Sequence, residues 1–220
     1  MHYRLAFRFA IEGDLRFISH HDTVRLFERA LARAELSARR SAGFNPRPRL
    51  SLPLPRSVGI ASRDELLIVE FDAPLGADEA RQRLAAVMPP GLRIFDAFAV
   101  ANDESCKPRR VTYAMKLAAD EVAGVEARVA AFVAQKRIDV ERRDVKTGRV
   151  RPVDVRGCVT TIAVADGRLV WTQSVDAGGT AKPAEVLAGL GFGPREALHR
   201  LERTCVEYDG LRRHSDLTVP

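Results

Sequence analysis

The sequence is poor in the residues that build covalent or metal scaffolds. It has only three cysteines, Cys106, Cys158 and Cys205, and they lie far apart. An odd, scattered set excludes a disulfide framework and fits a reducing cytoplasm. No Cys or His neighbours them at zinc-ligand spacing, and H-x-x-x-H and H-x-E motifs are missing. Glycine-rich loops with P-loop or Rossmann spacing are missing too, so neither a bound metal nor a cofactor is expected. No apolar run approaches the length that spans a bilayer. The opening MHYRLAFRFAIEGD, interrupted by Arg4 and Arg8, is too short an apolar stretch for a signal peptide. A cytoplasmic protein without membrane contact is expected.

One further shortage is local. Between Glu35 and Asp64 the chain has no acid, while Arg39, Arg40, Arg47, Arg49, Arg56 and Arg63 all fall in that window. With no carboxylate nearby, these arginines call for an external anion or an acidic patch remote in sequence. The total charge of +6 decides less than this distribution.

At 220 residues the chain is long enough for one large domain or two small ones. Tyr3–Ile11 alternates apolar and polar residues as a half-buried strand does. After it, Val24, Phe27, Ala30, Leu31 and Ala34 recur at helical spacing, and Ser19 three residues before Asp22 is a capping-box pattern. A proline-crossed strand around Arg49–Leu54, a strand at Leu66–Phe71, a helix over Asp78–Met88 and a strand at Leu92–Val100 follow. Strand, helix, strand, strand, helix, strand is the order of a split βαβ unit.

Behind the polar link Ala101–Arg110 a similar order restarts. Strands are expected at Val111–Leu117, Ile138–Val145, Val153–Val164, Leu169–Val175 and Arg203–Tyr208, with helices over Val122–Lys136 and Lys182–Leu190. The expected fold is α+β: two tandem ferredoxin-like units with antiparallel sheets, over residues 1–100 and 111–210, the second with an extra hairpin.

Arg25, Arg29 and Arg33 stand at i, i+4 and i+8, which makes one cationic ridge on a helix. Guanidinium forks match phosphate oxygens and stack on bases. Ser41–Pro48 combines Gly43 with the turn pair Asn45-Pro46; it is either a tight turn or a rigid loop presenting Arg47, with Phe44 as a stacking ring. His20 and His21 point about 100° apart on a helix, so they do not make a metal pair. A cap and packing role, an anion contact and general acid–base work stay open for His20. His2, His199 and His214 have no assignable position near it. Asp176–Thr180 is a weak candidate anion nest, and the basic stretch Arg142–Gly157 offers either cross-strand ion pairs or nucleic-acid contact.

Two stretches, FISHHDTVRLFERALARAEL and SAGFNPRPRLSLPLPRSVG, carry a resemblance. Their Phe17, Ile18, Ser19, His20, Asp22, Arg25, Arg29, Gly43, Phe44, Asn45, Pro46, Pro48, Pro53, Leu54 and Gly59 resemble a bacterial radical-SAM-associated family of unknown function. Its members are encoded beside, or fused to, a cobalamin-binding radical SAM protein. His21 stands where that family carries leucine, which makes His20 the better functional candidate. The likeness continues through KTGRVRPVDVRG and KPAEVLAGL to RTCVEY. The chain lacks the three-cysteine cluster motif of radical SAM enzymes, so the resemblance implies a companion protein without an iron–sulfur site. The family's genes near ribosomal-protein and ribonuclease genes favour RNA.

The expected function is an RNA-binding accessory protein, for tRNA or rRNA, that presents RNA to a radical SAM partner. Contacts are expected from Arg25, Arg29, Arg33, Arg39, Arg40, Phe44, Asn45, Arg47 and His20, with no catalytic residue. The alternatives are a metal-independent RNA-processing endonuclease using His20, and a pure protein-interaction adaptor.

Overall fold

The computed structural model describes residues 2–144, 147–175, 180–193 and 197–211. Their contacts divide them into two compact units, Met1–Lys107 with Tyr208–Pro220, and Pro108–Glu207. The protein is mixed α+β with mostly antiparallel strands. Among the described residues no helix is long and apolar enough to cross a membrane, and the three cysteines are free thiols.

The first unit contains β1 (Tyr3–Ile11), α1 (His20–Arg33), β2 (Leu50–Ser51), β3 (Ala61–Phe71), α2 (Ala77–Ala86) and β4 (Leu92–Val100). β1 lies between β4 and β3, antiparallel to both, and β2 pairs antiparallel with β3. Leu5, Phe7, Phe9 and Ile11 of β1 pack with Phe27, Ala30 and Leu31 of α1 and Leu84 of α2. The Phe9 and Phe27 rings meet edge to face at 4.9 Å.

The alternation in β1 reads as a half-buried strand, but its other face is buried as well. Arg8 is 1% exposed, and its guanidinium meets the Asp64 carboxylate of β3 at 2.5 Å. An arginine passes as a solvent-facing residue in sequence, yet a paired one can be enclosed. β2 is shorter than expected because Pro53 and Pro55 have no N–H for a ladder. Only Leu50 and Ser51 pair, with Val69 and Ile68.

Gly91 opens β4 at φ 88, and its carbonyl accepts the Glu12 N–H at 2.8 Å. A Cβ there would stand 2.8 Å from the Glu12 carbonyl oxygen. Gly91→Ala is therefore expected to cost about 2 kcal/mol or more, from positive-φ strain and backbone crowding together. A lowered urea midpoint with an unchanged m-value checks this.

The second unit contains β5 (Pro108–Lys116), α3 (Val122–Ala134), β6 (Asp139–Arg143), β7 (Val150–Asp154), α4 (Val155–Cys158), β8 (Val159–Ala165), β9 (Arg168–Ser174), α5 (Pro183–Gly189) and β10 (Leu201–Tyr208). Its strands run in the order β10, β5, β9, β8, and β6 and β7 form a separate two-stranded sheet. Trp171 is fully buried beside Tyr113, with ring centroids 5.2 Å apart. Its indole N–H donates to Gln173 at 3.0 Å, and the Gln173 amide donates to Thr180 Oγ1 at 2.8 Å, so the buried polar atoms are satisfied.

Val153–Val164 is not one strand. Asp154 ends β7 and caps the helical turn α4, its carboxylate accepting the Arg156 and Gly157 N–H groups at 3.1 and 3.2 Å. Valine spacing suggested a strand; the capping aspartate overrides it. The proposed nest at Asp176–Thr180 falls mostly outside the described residues, as does His214.

Candidate nucleic-acid interface

The start of α1 is held by its own sequence. Ser19 Oγ accepts the Asp22 N–H at 3.1 Å, and the Ser19 hydroxyl donates to the Asp22 carboxylate at 2.7 Å. The return half of a capping box, a carboxylate on the N-cap N–H, is replaced by that hydroxyl bond. The Ser19 hydroxyl is first among the causes that hold the Asp22 carboxyl below its ordinary pKa.

Thr23 turns inward in place of Val24, its hydroxyl satisfied by the Ser19 carbonyl at 2.9 Å. This sets the rotation of the helix. With Thr23, Phe27, Ala30 and Leu31 inward, Arg25, Arg29 and Arg33 stand in one row on the exposed side, and His21 precedes them in that row. Successive members are about 6 Å apart along the axis. Arg25 lies 3.5 Å from Asp22, with both side chains more than half exposed, an ion pair worth little. Arg29 and Arg33 have no side-chain hydrogen bond or ion pair with any described residue.

Two arginines that sequence reasoning gave no such role fix the ends of this platform. Arg56 donates to the carbonyls of Arg16 at 2.7 Å, Ile60 at 2.6 Å and Ile18 at 3.4 Å, just before α1. Arg83 of α2 donates to the carbonyls of Ala34 at 3.1 Å and Glu35 at 2.8 Å, just past its end. Carbonyls at a helix C-terminus are orphaned acceptors, and a guanidinium there also complements the helix dipole.

The acid-free window finds part of its counter-charge on β3, remote in sequence. Arg39 lies 3.6 Å from Glu70 and 3.5 Å from Asp72, and Arg49 lies 3.6 Å from the same Glu70. Backbone bonds join the same residues: Arg39 N–H to Glu70 O, Glu70 N–H to Arg49 O, and Arg49 N–H to Arg39 O. These rungs zip the stem of the loop onto the sheet.

Beyond the stem, Ser41 N–H donates to Arg47 O at 2.9 Å, and Arg47 N–H donates to Ser41 Oγ at 3.1 Å. The Arg40 guanidinium reaches Pro46 O at 3.2 Å. At the tip Gly43 has φ 122, and Phe44 is fully in solvent, 106% exposed. Asn45 and Arg47 are exposed beside it. A large aromatic ring held outside any core by a tied loop suits stacking on a base. The groove between α1 and the stem carries Glu28 and Glu35, so the cationic surface is the outer ridge rather than that groove.

His20 lies apart from the ridge, in a small pocket lined by Phe9, Thr23, Leu52, Leu54, Arg56 and the buried carboxylate Glu65. The segments FISHHD and LPLPR, separate in sequence, thus converge there. Burial, and then the neighbouring His21, push the His20 pKa below its ordinary value, so the ring is neutral at neutral pH. Among the described residues no group of three or more His, Cys, Asp or Glu side chains is disposed to hold a metal.

No curated protein matches the chain in sequence. Among solved structures it is similar to the CRISPR endoribonuclease Cse3 bound to a 19-nucleotide RNA, at 15% identity over 92% of this chain and 99% of that one. The TM-score is 0.27, a level at which the likeness decides neither fold nor function. Residues 4–183 match the bacterial family described as "Uncharacterized protein conserved in bacteria (DUF2344)", and with that span covering most of its length, the chain belongs to this family.

Proposed function

We propose that the protein is an RNA-binding accessory protein that holds tRNA or rRNA for a cobalamin-binding radical SAM partner, and that its two units are ferredoxin-like. The observation that carries RNA binding is the exposed arginine row of α1, with Arg29 and Arg33 lacking partners among the described residues. Like charges at i, i+4 cost a helix about 0.2–0.5 kcal/mol per pair. A surface needed only for solubility would intersperse acids, whereas this row gains its counter-charge when phosphates bind. Phe44 supplies stacking, Arg40 and Arg47 flank it, and Arg39, already between Glu70 and Asp72, contributes least. The ferredoxin-like reading is supported by the order β4, β1, β3, β2 with antiparallel neighbours in the first unit. Partnership with a radical SAM protein rests on the sequence resemblance alone.

A second reading is favoured by the His20 pocket, where a neutral imidazole shares a pocket with Glu65 and Arg56. Such a ring suits general acid–base cleavage of RNA without metal. Purified protein mixed with a labelled tRNA transcript at low ionic strength separates the possibilities. Saturable binding that leaves the RNA intact is expected. Cleavage in EDTA that His20→Ala abolishes while binding survives would replace the accessory role by an endonuclease. No RNA binding, with co-purification of the radical SAM protein, would leave a protein adaptor.

A further inference from the structure

The β6–β7 hairpin of the second unit is a sheet of two strands only, a form that is marginal in water unless something else holds it. Here three sets of contacts do. At the base, the Asp154 carboxylate accepts the Ile138 N–H at 3.2 Å, and Val155 N–H donates to Ile138 O at 2.9 Å. On the flank, Arg142 forks onto Glu185 of α5 at 2.7 and 2.5 Å and donates to Thr180 O at 2.8 Å. At the turn, Asp144 accepts the Thr147 N–H at 2.7 Å and hydroxyl at 3.0 Å. Burial works to raise the Glu185 pKa, but Arg142 and the Lys182 N–H outweigh it and hold the carboxyl below its ordinary range. The clamp is therefore ionised at neutral pH.

These contacts occupy Asp144 and Asp154, and Asp139 is paired with Arg137 at 2.7 Å, which leaves Glu141 of the hairpin's acids. The remaining arginines are left over. In the ladder Arg142 lies opposite Arg151 and Arg143 opposite Val150. Arg149 and Arg151 thus continue the face of Arg142, and Arg143 shares the other face with Glu141. Arg143, Arg149 and Arg151 are exposed, and none has a side-chain hydrogen bond or ion pair with a described residue.

We infer that this hairpin is a second RNA-contacting element, which grips the sugar–phosphate backbone independently of the α1 ridge. The inference rests on the reading of the chain as an RNA-binding protein. Guanidinium forks about 6.6 Å apart along a strand offer bidentate partners to successive phosphate groups. The ribbon has no aromatic side chain, so it contacts backbone and not bases, and carries no sequence preference of its own. The wide, shallow minor groove of an RNA helix leaves its flanking phosphates open to such a ribbon.

The test is binding of a labelled tRNA transcript across a salt series, with Arg143, Arg149 and Arg151 replaced together by Gln, by Lys, or not at all. The Gln triple is expected to flatten the slope of log affinity against log salt by about two units and to weaken binding by tens of fold near physiological salt. The Lys triple should keep the slope, because counterion release follows charge. Circular dichroism and the melting curve of the Gln triple should match the parent, since Arg142 and Glu185 are untouched. If the parent and the ridge variant of α1 behave as proposed but the hairpin Gln triple keeps full slope, the inference is overturned while RNA binding stands. If the parent binds no tRNA, both readings fail. If only the hairpin Gln triple loses slope, the hairpin stands and the α1 ridge does not.

Discussion

Asp64→Leu is expected to cost the first unit about 3–5 kcal/mol, a large part of the stability of an ordinary domain. Asp64 is 0% exposed and holds the Arg8 guanidinium at 2.5 Å, next to the register shift near the Ile11–Ser62 end of the β1–β3 ladder. Removing the carboxylate takes from the buried Arg8 guanidinium the counter-charge that it meets at 2.5 Å. The companion variant Arg8→Met with Asp64→Leu removes both charges of the pair, and it should be more stable than Asp64→Leu alone. Urea unfolding of the two variants measures this directly. A small effect of the single substitution, or a double variant as unstable as the single, would show that the pair is not enclosed as described.

The second large effect concerns binding. Replacing Arg25, Arg29 and Arg33 together by Gln is expected to reduce affinity for a tRNA transcript by tens of fold at about 0.15 M salt, each contact releasing its share of counterions. Stability should shift by no more than about 0.5 kcal/mol. Relief of the like-charge pairs along the row should make the shift favourable rather than damaging. Loss of binding without loss of stability separates a functional face from a structural one.

What the sequence discloses here is what depends on local period. The bounds of β4 and the exposed row of α1 follow from spacing alone, because strand and helix repeats map residues onto faces. The solvent-exposed tip at Phe44 follows from Gly43 before it and Asn45-Pro46 behind it. What stays hidden depends on remote partners. Arg8 reads as a surface residue because Asp64 is far along the chain. The acid-free window calls for an external anion or a remote acidic patch, but its spacing does not name Glu70 and Asp72, which enter only through the pairing of the loop stem with β3. Arg56 resembles its neighbours in the window, yet it donates to backbone carbonyls, which leave no mark in a sequence. The turn α4 had a readable signal in Asp154, an N-cap residue, masked by the valines around it.

Salt dependence of tRNA binding tests recognition by α1 most directly. Three proteins are compared: the parent, the Arg25, Arg29 and Arg33 triple, and a control triple at Arg93, Arg128 and Arg168, exposed arginines outside both proposed elements. In plots of log affinity against log salt, the parent and control lines should run parallel, with the ridge triple lower and shallower by about two units. If both triples lose affinity and slope equally, the attraction is diffuse net charge. If the ridge triple lies on the parent line, α1 does not face RNA.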